Sequence, residues 1–299
     1  MSDNNQNNDH SSNNEQRFVL SCIDGSSYGE AVCDYACWIA KTVDAPLKFL
    51  HTIEHSKSPA VADLTGAIGL GASEDLLNEL TEVEQNRSRL LIEKGNLMLK
   101  AAKQKATDAG VTEIEIRQRH GSLSESLVEL EDQIRVLVVG IRGEQHDTDQ
   151  AGVGAQLETT IRSLHKPILV VNKAFETPKK IMLAYDGSDA ANKALSMVAS
   201  SPLFKGIPCH LVHVSDGDEQ GVDELLANAE KTLSDAGITV SSIKLNGEID
   251  QALSRYQSEH NIDLTVMGAF SHNRVRDFLL GSFTAKMLEN TQKPLLLLR

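Results

Sequence analysis

The chain has 299 residues, with 29 Lys and Arg against 42 Asp and Glu, which gives a formal net charge of −13 at pH 7. This acidic balance repels the phosphate backbone, so we expect no nucleic-acid partner. No apolar run approaches the roughly 20 residues that span a bilayer, and we expect a cytoplasmic protein without a membrane partner.

Residues 1–16 form an Asn-rich segment with almost no apolar side chains. Such a segment cannot bury enough surface to fold, so we expect a disordered tail. It lacks the apolar core of a secretory signal and the Arg-rich amphipathic pattern of a transit peptide.

The rest of the chain repeats itself. An apolar run followed by Asp-Gly-Ser occurs at 18–26 and again at 181–188, with the two aspartates 162 residues apart. His51 and His213, each inside a second apolar run, have the same separation. The closing runs 167–171 and 294–298 are 127 residues apart. Ordered self-similarity of this kind indicates a tandem duplication.

Each half predicts five strands that alternate with four helices. The strand candidates are short, continuously apolar runs, such as 135–140 and 264–268, which are typical of parallel strands buried on both faces. We therefore expect two tandem doubly wound, Rossmann-like α/β domains, each with a five-stranded, mostly parallel sheet flanked by helices. The expected bounds are 17–172 for the first domain, 173–178 for the linker and 179–299 for the second domain.

The difference between the two spacings places 35 extra residues in the first half, between His51 and Ala109. The inserted stretch, about 55–90, holds a Gly-rich loop and then a helical pattern that begins after Ser73. Gly110 is a suitable stop for this helix. We expect the helix to pack on its own domain, and the insertion to serve as a lid or as a surface for an unknown protein partner.

Four cysteines are present: Cys22, Cys33, Cys37 and Cys209. None has the C-x-x-C spacing of a redox or zinc motif. Cys33 and Cys37 share a helix face, which leaves a metal or redox pair open, but buried free thiols are the favoured interpretation.

The segment after the run 264–268 contains the residues that indicate a binding site. Gly268 permits close approach of a backbone to a phosphate, and Gly281-Ser282 exposes N–H donors at a helix N-terminus. His272, Arg274 and Arg276 add local positive charge to an acidic chain. Together these features predict a site for a phosphate-bearing ligand.

The spacing Gly268-x2-Ser271-x9-Gly281-Ser282 resembles the G-x2-G-x9-G-[ST] pattern of the universal stress protein family, which cradles the phosphates of ATP. The Asp-Gly-Ser after the first strand and the proline before the last strand also resemble that family. The resemblance covers residues 17–299 as two domains in tandem. It implies an adenine nucleotide alpha hydrolase-like fold and a stress-response regulatory protein that binds ATP or AMP, with or without Mg.

Carried over residue by residue, the resemblance implies a nucleotide site in the second domain. The residues around adenine are Ala184, Tyr185, Asp186 and Val214. Gly268 lies by the ribose. The residues lining the phosphates are Ser271, His272, Arg274, Gly281, Ser282, Phe283 and Thr284. Ser271 replaces the second glycine of the pattern, which puts the shape of the phosphate loop in doubt because serine resists positive φ.

The first half departs further from the pattern. The residues of its corresponding site are Asp24, Gly140, Gly143 and Gly154. Ten residues separate the last two glycines, and Ala155 replaces the Ser or Thr. Asp147 and Asp149 in that loop repel phosphates, so we expect a degenerate or differently selective site.

The resemblance also implies that the two halves pair through their last strands, Ile168–Val171 and Leu295–Leu298, as an intramolecular pseudo-dimer that is able to dimerise again. Three other interpretations stay open. Both sites are vestigial in a scaffold that acts through the insertion, or the chain is a slow ATPase, or the G-x-S-x-G of 25–29 marks an esterase. We assign no catalytic residue and no metal ligand.

Overall fold

A computed structural model describes residues 16–54, 72–143, 155–215, 221–269 and 282–299. Strands and helices alternate strictly in both halves. The strands are β1 Phe18–Cys22, β2 Leu47–Ile53, β3 Ile114–His120, β4 Ile134–Gly140, β5 Ile168–Val171, β6 Ile181–Ala184, β7 Cys209–Ser215, β8 Val240–Asn246, β9 Leu264–Gly268 and β10 Leu295–Leu298. The helices are α1 Gly29–Val43, α2 Ala72–Asp108, α3 Leu123–Leu130, α4 Ala155–Ser163, α5 Asp189–Ser200, α6 Val222–Asp235, α7 Ile249–Glu259 and α8 Ser282–Asn290.

The strands form one sheet in the order β3-β2-β1-β4-β5-β10-β9-β6-β7-β8. Within each half all neighbouring strands are parallel. The chain moves outward from β1 to β3 and then crosses back to β4, and the second half repeats this path from β6. The predicted doubly wound α/β fold is confirmed, and each half has a topological switch point beside its first strand, where such sheets bind ligands.

The two halves meet through their last strands. β5 and β10 pair antiparallel, with Leu295 opposite Val170 and Leu297 opposite Ile168. Asn172, just beyond β5, donates from Nδ2 to the carbonyl oxygens of Thr291 at 2.9 Å and Lys293 at 3.0 Å. The pairing implied by the resemblance therefore joins two five-stranded sheets into one of ten strands.

Both faces of the sheet are buried at its inner strands, as their continuously apolar sequences require, whereas the outermost strands β3 and β8 have exposed residues. Neighbouring strand residues point to opposite faces, so Val19 joins the core under α1, α2, α5 and α6, whereas Leu20 joins the core under α3, α4, α7 and α8. The first core is continuous across the two halves. At the junction Tyr35 of α1 meets the linker residue Phe175 edge-on, with ring centroids 4.8 Å apart.

Helix α2 has 37 residues, whereas its counterpart α6 has 14. It ends where the sequence predicts, because Gly110 adopts φ +84° and Val111 N donates to the carbonyl oxygen of Ala106 at 3.0 Å. The expectation that the helix packs on its own domain is right only for its C-terminal part. Leu99 and Ala106 are buried, but no described side chain between 78 and 94 is.

All four cysteines are free, and Cys33, Cys37 and Cys209 are buried. Burial raises the pKa of the Cys209 thiol to about 12, which suppresses the thiolate. Within the described ranges no helix combines the length and the hydropathy needed to cross a bilayer.

Candidate functional site

The carboxyl ends of β6 and β7 are tied together by a side chain. His213 of β7 is buried and its Nδ1 lies 2.9 Å from the carbonyl oxygen of Tyr185, which follows β6. Because a carbonyl only accepts, Nδ1 carries a proton in this contact. His51 and Ile23 make the same contact at 3.0 Å in the first half. The histidine landmarks of the repeat are thus fixed in one orientation.

Asp186 begins the turn after β6. Its Oδ1 accepts from the backbone N–H of Ser188 at 3.0 Å, and Asp24 accepts likewise from Ser26 at 3.0 Å. Asp186 is therefore a turn-former. It does not cap the following helix, because the N-cap of α5 is Ser188, whose Oγ accepts from Ala191 N at 3.2 Å.

A cavity of about 270 Å³, here called the C-terminal cavity, opens at this edge of the sheet. It lies beside the ends of β6, β7 and β9 and is closed by α7 and α8. Its lining residues are Ala184, Tyr185, Asp186, Ala191, Val212, His213, Val214, Ile249, Leu253, Met267, Gly268 and Phe283. Six residues that the sequence proposed for the nucleotide site meet here, namely Ala184, Tyr185, Asp186, Val214, Gly268 and Phe283.

Two further predicted residues, Ser282 and Thr284, belong to the start of α8. Thr284 is buried in the first turn of α8, and Ser282 opens that helix. Four predicted phosphate residues fall outside the described part of the chain: Ser271, His272, Arg274 and Gly281.

Gly268 has a packing role that the sequence did not indicate. A β-carbon there would lie 2.7 Å from the Cβ of Ala190 and 2.9 Å from the backbone nitrogen of Ala191. Any side chain at this position would push α5 away from β9. The glycine therefore brings the N-terminus of α5 close to the end of β9, where both border the cavity.

The first half differs at the same point. A β-carbon on Gly140 would lie 3.1 Å from the Cβ of Tyr28, so Tyr28 occupies the place that Ala190 has in the second half. Tyr28 is half-buried and packs against both cores. Of the other predicted residues, Asp24 and Gly143 are half-buried and Gly154 lies outside the described residues. In the first half, the large side chain of Tyr28 therefore lies at the position where the second half has only the methyl group of Ala190.

Tyr185 keeps its proton under ordinary conditions. Burial and the neighbouring Asp186 carboxylate raise the pKa of its hydroxyl. The hydroxyl donates to Oδ1 of Asn192 at 2.7 Å, which holds the ring at the cavity wall. Tyr185 is thus a neutral wall of the cavity.

Two residues of α7, Ile249 and Leu253, were not anticipated. They line the cavity, and their sequence pattern shows only an amphipathic helix. Among the described residues, no group of three or more His, Cys, Asp or Glu side chains is arranged to hold a metal ion.

A scan against protein-family models matches the universal stress protein family at residues 17–172 and 177–299. A curated relative, universal stress protein Slr1230 of Synechocystis, is 36% identical over 285 residues, which cover 94% of this chain and 99% of the relative. Among solved structures, a universal stress protein of Archaeoglobus fulgidus aligns with a TM-score of 0.68 at 18% identity, covering 95% of this chain and 96% of that one. The similar architecture supports the fold, and the two family matches together with the relative's identity show that the chain belongs to the universal stress protein family.

Proposed function

We propose that this chain is a stress-response regulatory protein that binds one adenine nucleotide, of the ATP or AMP class, in the C-terminal cavity. The observation that carries the proposal is that six residues of the nucleotide site implied by the family resemblance line one cavity at the switch point of the second half.

The cavity suits the base and sugar of a nucleotide. Its volume of about 270 Å³ lies just below the range of about 300–1,000 Å³ that is typical of sites for whole drug-sized ligands. Val212, Leu253 and Met267 supply the apolar surface on which a purine packs. Asp186 and the backbone of the Tyr185 turn supply polar groups at the rim.

The phosphates extend from Gly268 toward the start of α8. Helix N-termini present unpaired N–H donors and the positive end of the helix dipole, which favour an anion. Ser282 opens α8, and Phe283 already borders the cavity. In the sequence, His272 and Arg274 lie between Gly268 and Ser282 and add positive charge to that segment.

One site per chain is proposed because the halves differ where the ligand would enter. Tyr28 replaces Ala190, and Asp147 and Asp149 in the first half replace the basic residues of the second. Binding is preferred to catalysis because a hydrolase needs a positioned base and an electrophilic stabiliser, whereas the described lining is chiefly aliphatic.

The test is calorimetry of the full chain with ATP and AMP, each with and without Mg, on matched variants of the two halves. Val214 and Thr52 both follow the landmark histidine and both are half-buried. We expect one nucleotide per chain, lost in Val214→Glu and retained in Thr52→Glu. Absence of binding by the intact protein, or binding that only Thr52→Glu abolishes, would overturn the proposal.

A further inference from the structure

The first part of α2 is an exposed arm. We define the α2 arm as residues 78–94, in which only Leu80 and Ser88 are half-buried and the other side chains are exposed. Because α2 connects parallel strands, it runs against them, so its N-terminal part extends beyond their carboxyl ends. At 1.5 Å per residue the arm is about 25 Å long.

An apolar stripe runs along this helix. Val83, Leu90 and Leu97 are 61%, 59% and 61% exposed, and they follow one another at intervals of seven residues. Residues seven apart lie on one helix face with a drift of only about 20°. Exposed large apolar residues in one row form a narrow apolar face, and such a face is commonly buried against another protein surface.

The stripe faces away from the chain's own core. Leu99, Ala102 and Ala106 are the α2 side chains buried in the core of the domain. At about 100° per residue, Leu97 lies roughly 160° from Leu99 around the helix axis. The domain's own packing therefore leaves the stripe uncovered along its described length.

The charges of the arm identify its partner. Its first half carries three acids and no base, and its second half carries three bases and one acid. The acids of the first half are Glu79, Glu82 and Glu84, and the bases of the second half are Arg87, Arg89 and Lys94. Two copies aligned in parallel set like charges together, whereas two antiparallel copies set acidic halves against basic halves.

We propose that the α2 arm is a homodimer interface, on which a second copy of this chain docks with its own arm antiparallel. When the two-fold axis passes between residues 86 and 87, Val83 of one copy faces Leu90 of the other. The same register sets Glu79 opposite Lys94, both within about 30° of the stripe around the helix axis. One alignment thus brings together the apolar stripe and this charge pair, which the two-fold axis repeats.

The first experiment is sedimentation velocity of the full chain over a range of concentrations and salt. We expect a dimer that weakens as salt rises, because the charge pairs are exposed to screening. Leu90→Glu should raise the dimer dissociation constant at least tenfold. Val128→Glu is the matched control, since Val128 is 53% exposed on α3, outside the arm. Circular dichroism of each variant establishes that it is folded.

A charge exchange tests the orientation. Glu79→Lys should weaken the dimer about tenfold, and Glu79→Lys combined with Lys94→Glu should restore it, because each exchanged pair faces the other copy. In a parallel dimer the double variant should dimerise no more tightly than the single variant.

Cysteine cross-linking fixes the register. Under oxidised glutathione, differently tagged Val83→Cys and Leu90→Cys chains should form a mixed disulfide, whereas Gln85→Cys, on the opposite side of the helix, should not cross-link with either. A chain that stays monomeric up to about 100 µM, the range of weak complexes, overturns the proposal. So does a dimer that Leu90→Glu leaves unchanged, or one that cross-links 83 to 83 in preference to 83 to 90.

Discussion

A β-carbon on Gly95 would lie 2.8 Å from Nε2 of His51, closer than any ordinary van der Waals contact. It would also collide with the side-chain amide of Gln118, which lies on the neighbouring strand. Gly95 is buried, and from this point onward α2 packs on the sheet. The glycine thus seats the long helix against the landmark histidine of the first half.

Gly95→Ala should destabilise the protein, although the helix propensity of alanine alone would stabilise it by about 1 kcal/mol. Overpacking a close contact costs about 1–3 kcal/mol, so the collision with the His51 ring outweighs the propensity gain. Urea denaturation measures the difference. Asn96→Ala, at the adjacent exposed position, should be neutral or slightly stabilising. A stabilised Gly95→Ala would mean that α2 moves freely relative to β2.

His213→Leu should lower the free energy of unfolding by about 1–3 kcal/mol, because the carbonyl of Tyr185 loses its donor in a buried setting. His51→Leu, which removes the corresponding donor at a half-buried position, should cost less. Equal losses in the two variants, measured by urea denaturation, would show that burial does not govern this contact.

The pH dependence of stability should carry a contribution from His210. Its Nδ1 lies 2.7 Å from the Tyr256 hydroxyl, and burial together with Lys180 and His260 lowers the pKa of the ring below its ordinary value of 6.5. The unfolded chain then binds the proton at a higher pH than the folded chain does. Stability therefore falls as the pH drops through 6.5 and levels off below the folded pKa. Melting temperatures of His210→Gln should depend less on pH in this window than those of the wild type.

The two halves should unfold together, because they share one sheet. Trp38 is the single tryptophan and lines a small cavity of about 30 Å³ between the halves with Leu203 and Leu296. Its fluorescence should change at the same urea concentration as the circular dichroism signal. Asn172→Ala should lower the free energy of unfolding by about 1–2 kcal/mol, since two carbonyls lose their donor. Both transitions should therefore move to lower urea concentration. The exposed Asn228→Ala should shift neither transition, and separate transitions in the wild type would contradict the prediction.

The parallel sheets could be predicted from the sequence, because continuously apolar runs such as 264–268 are typical of strands buried on both faces. The turn aspartates could be only half predicted. An aspartate just after a strand can form the turn or cap the next helix. Asp186 forms the turn, whereas Ser188, two residues later, caps the helix, and only the geometry decides between them.

Parts of the site depend on packing that a linear pattern does not encode. Ile249 and Leu253 belong to the C-terminal cavity because α7 begins just after β8, at the carboxyl edge of the sheet, and an amphipathic pattern does not say which of its residues border a cavity. The difference between Tyr28 and Ala190 could be read from the sequence, since these residues hold equivalent positions in the repeat. Its meaning depends on the contact with Gly140, which only the folded chain brings about.

The antiparallel contact between β5 and β10 sets the two switch points on opposite rims of the molecule. The carboxyl ends of the strands in the first half face one way. The carboxyl ends of the strands in the second half, which border the C-terminal cavity, face the other way. The α2 arm rises from the first rim. Two chains joined there would therefore display their nucleotide pockets outward at the far ends of the assembly, accessible to solvent whether or not the chains are paired.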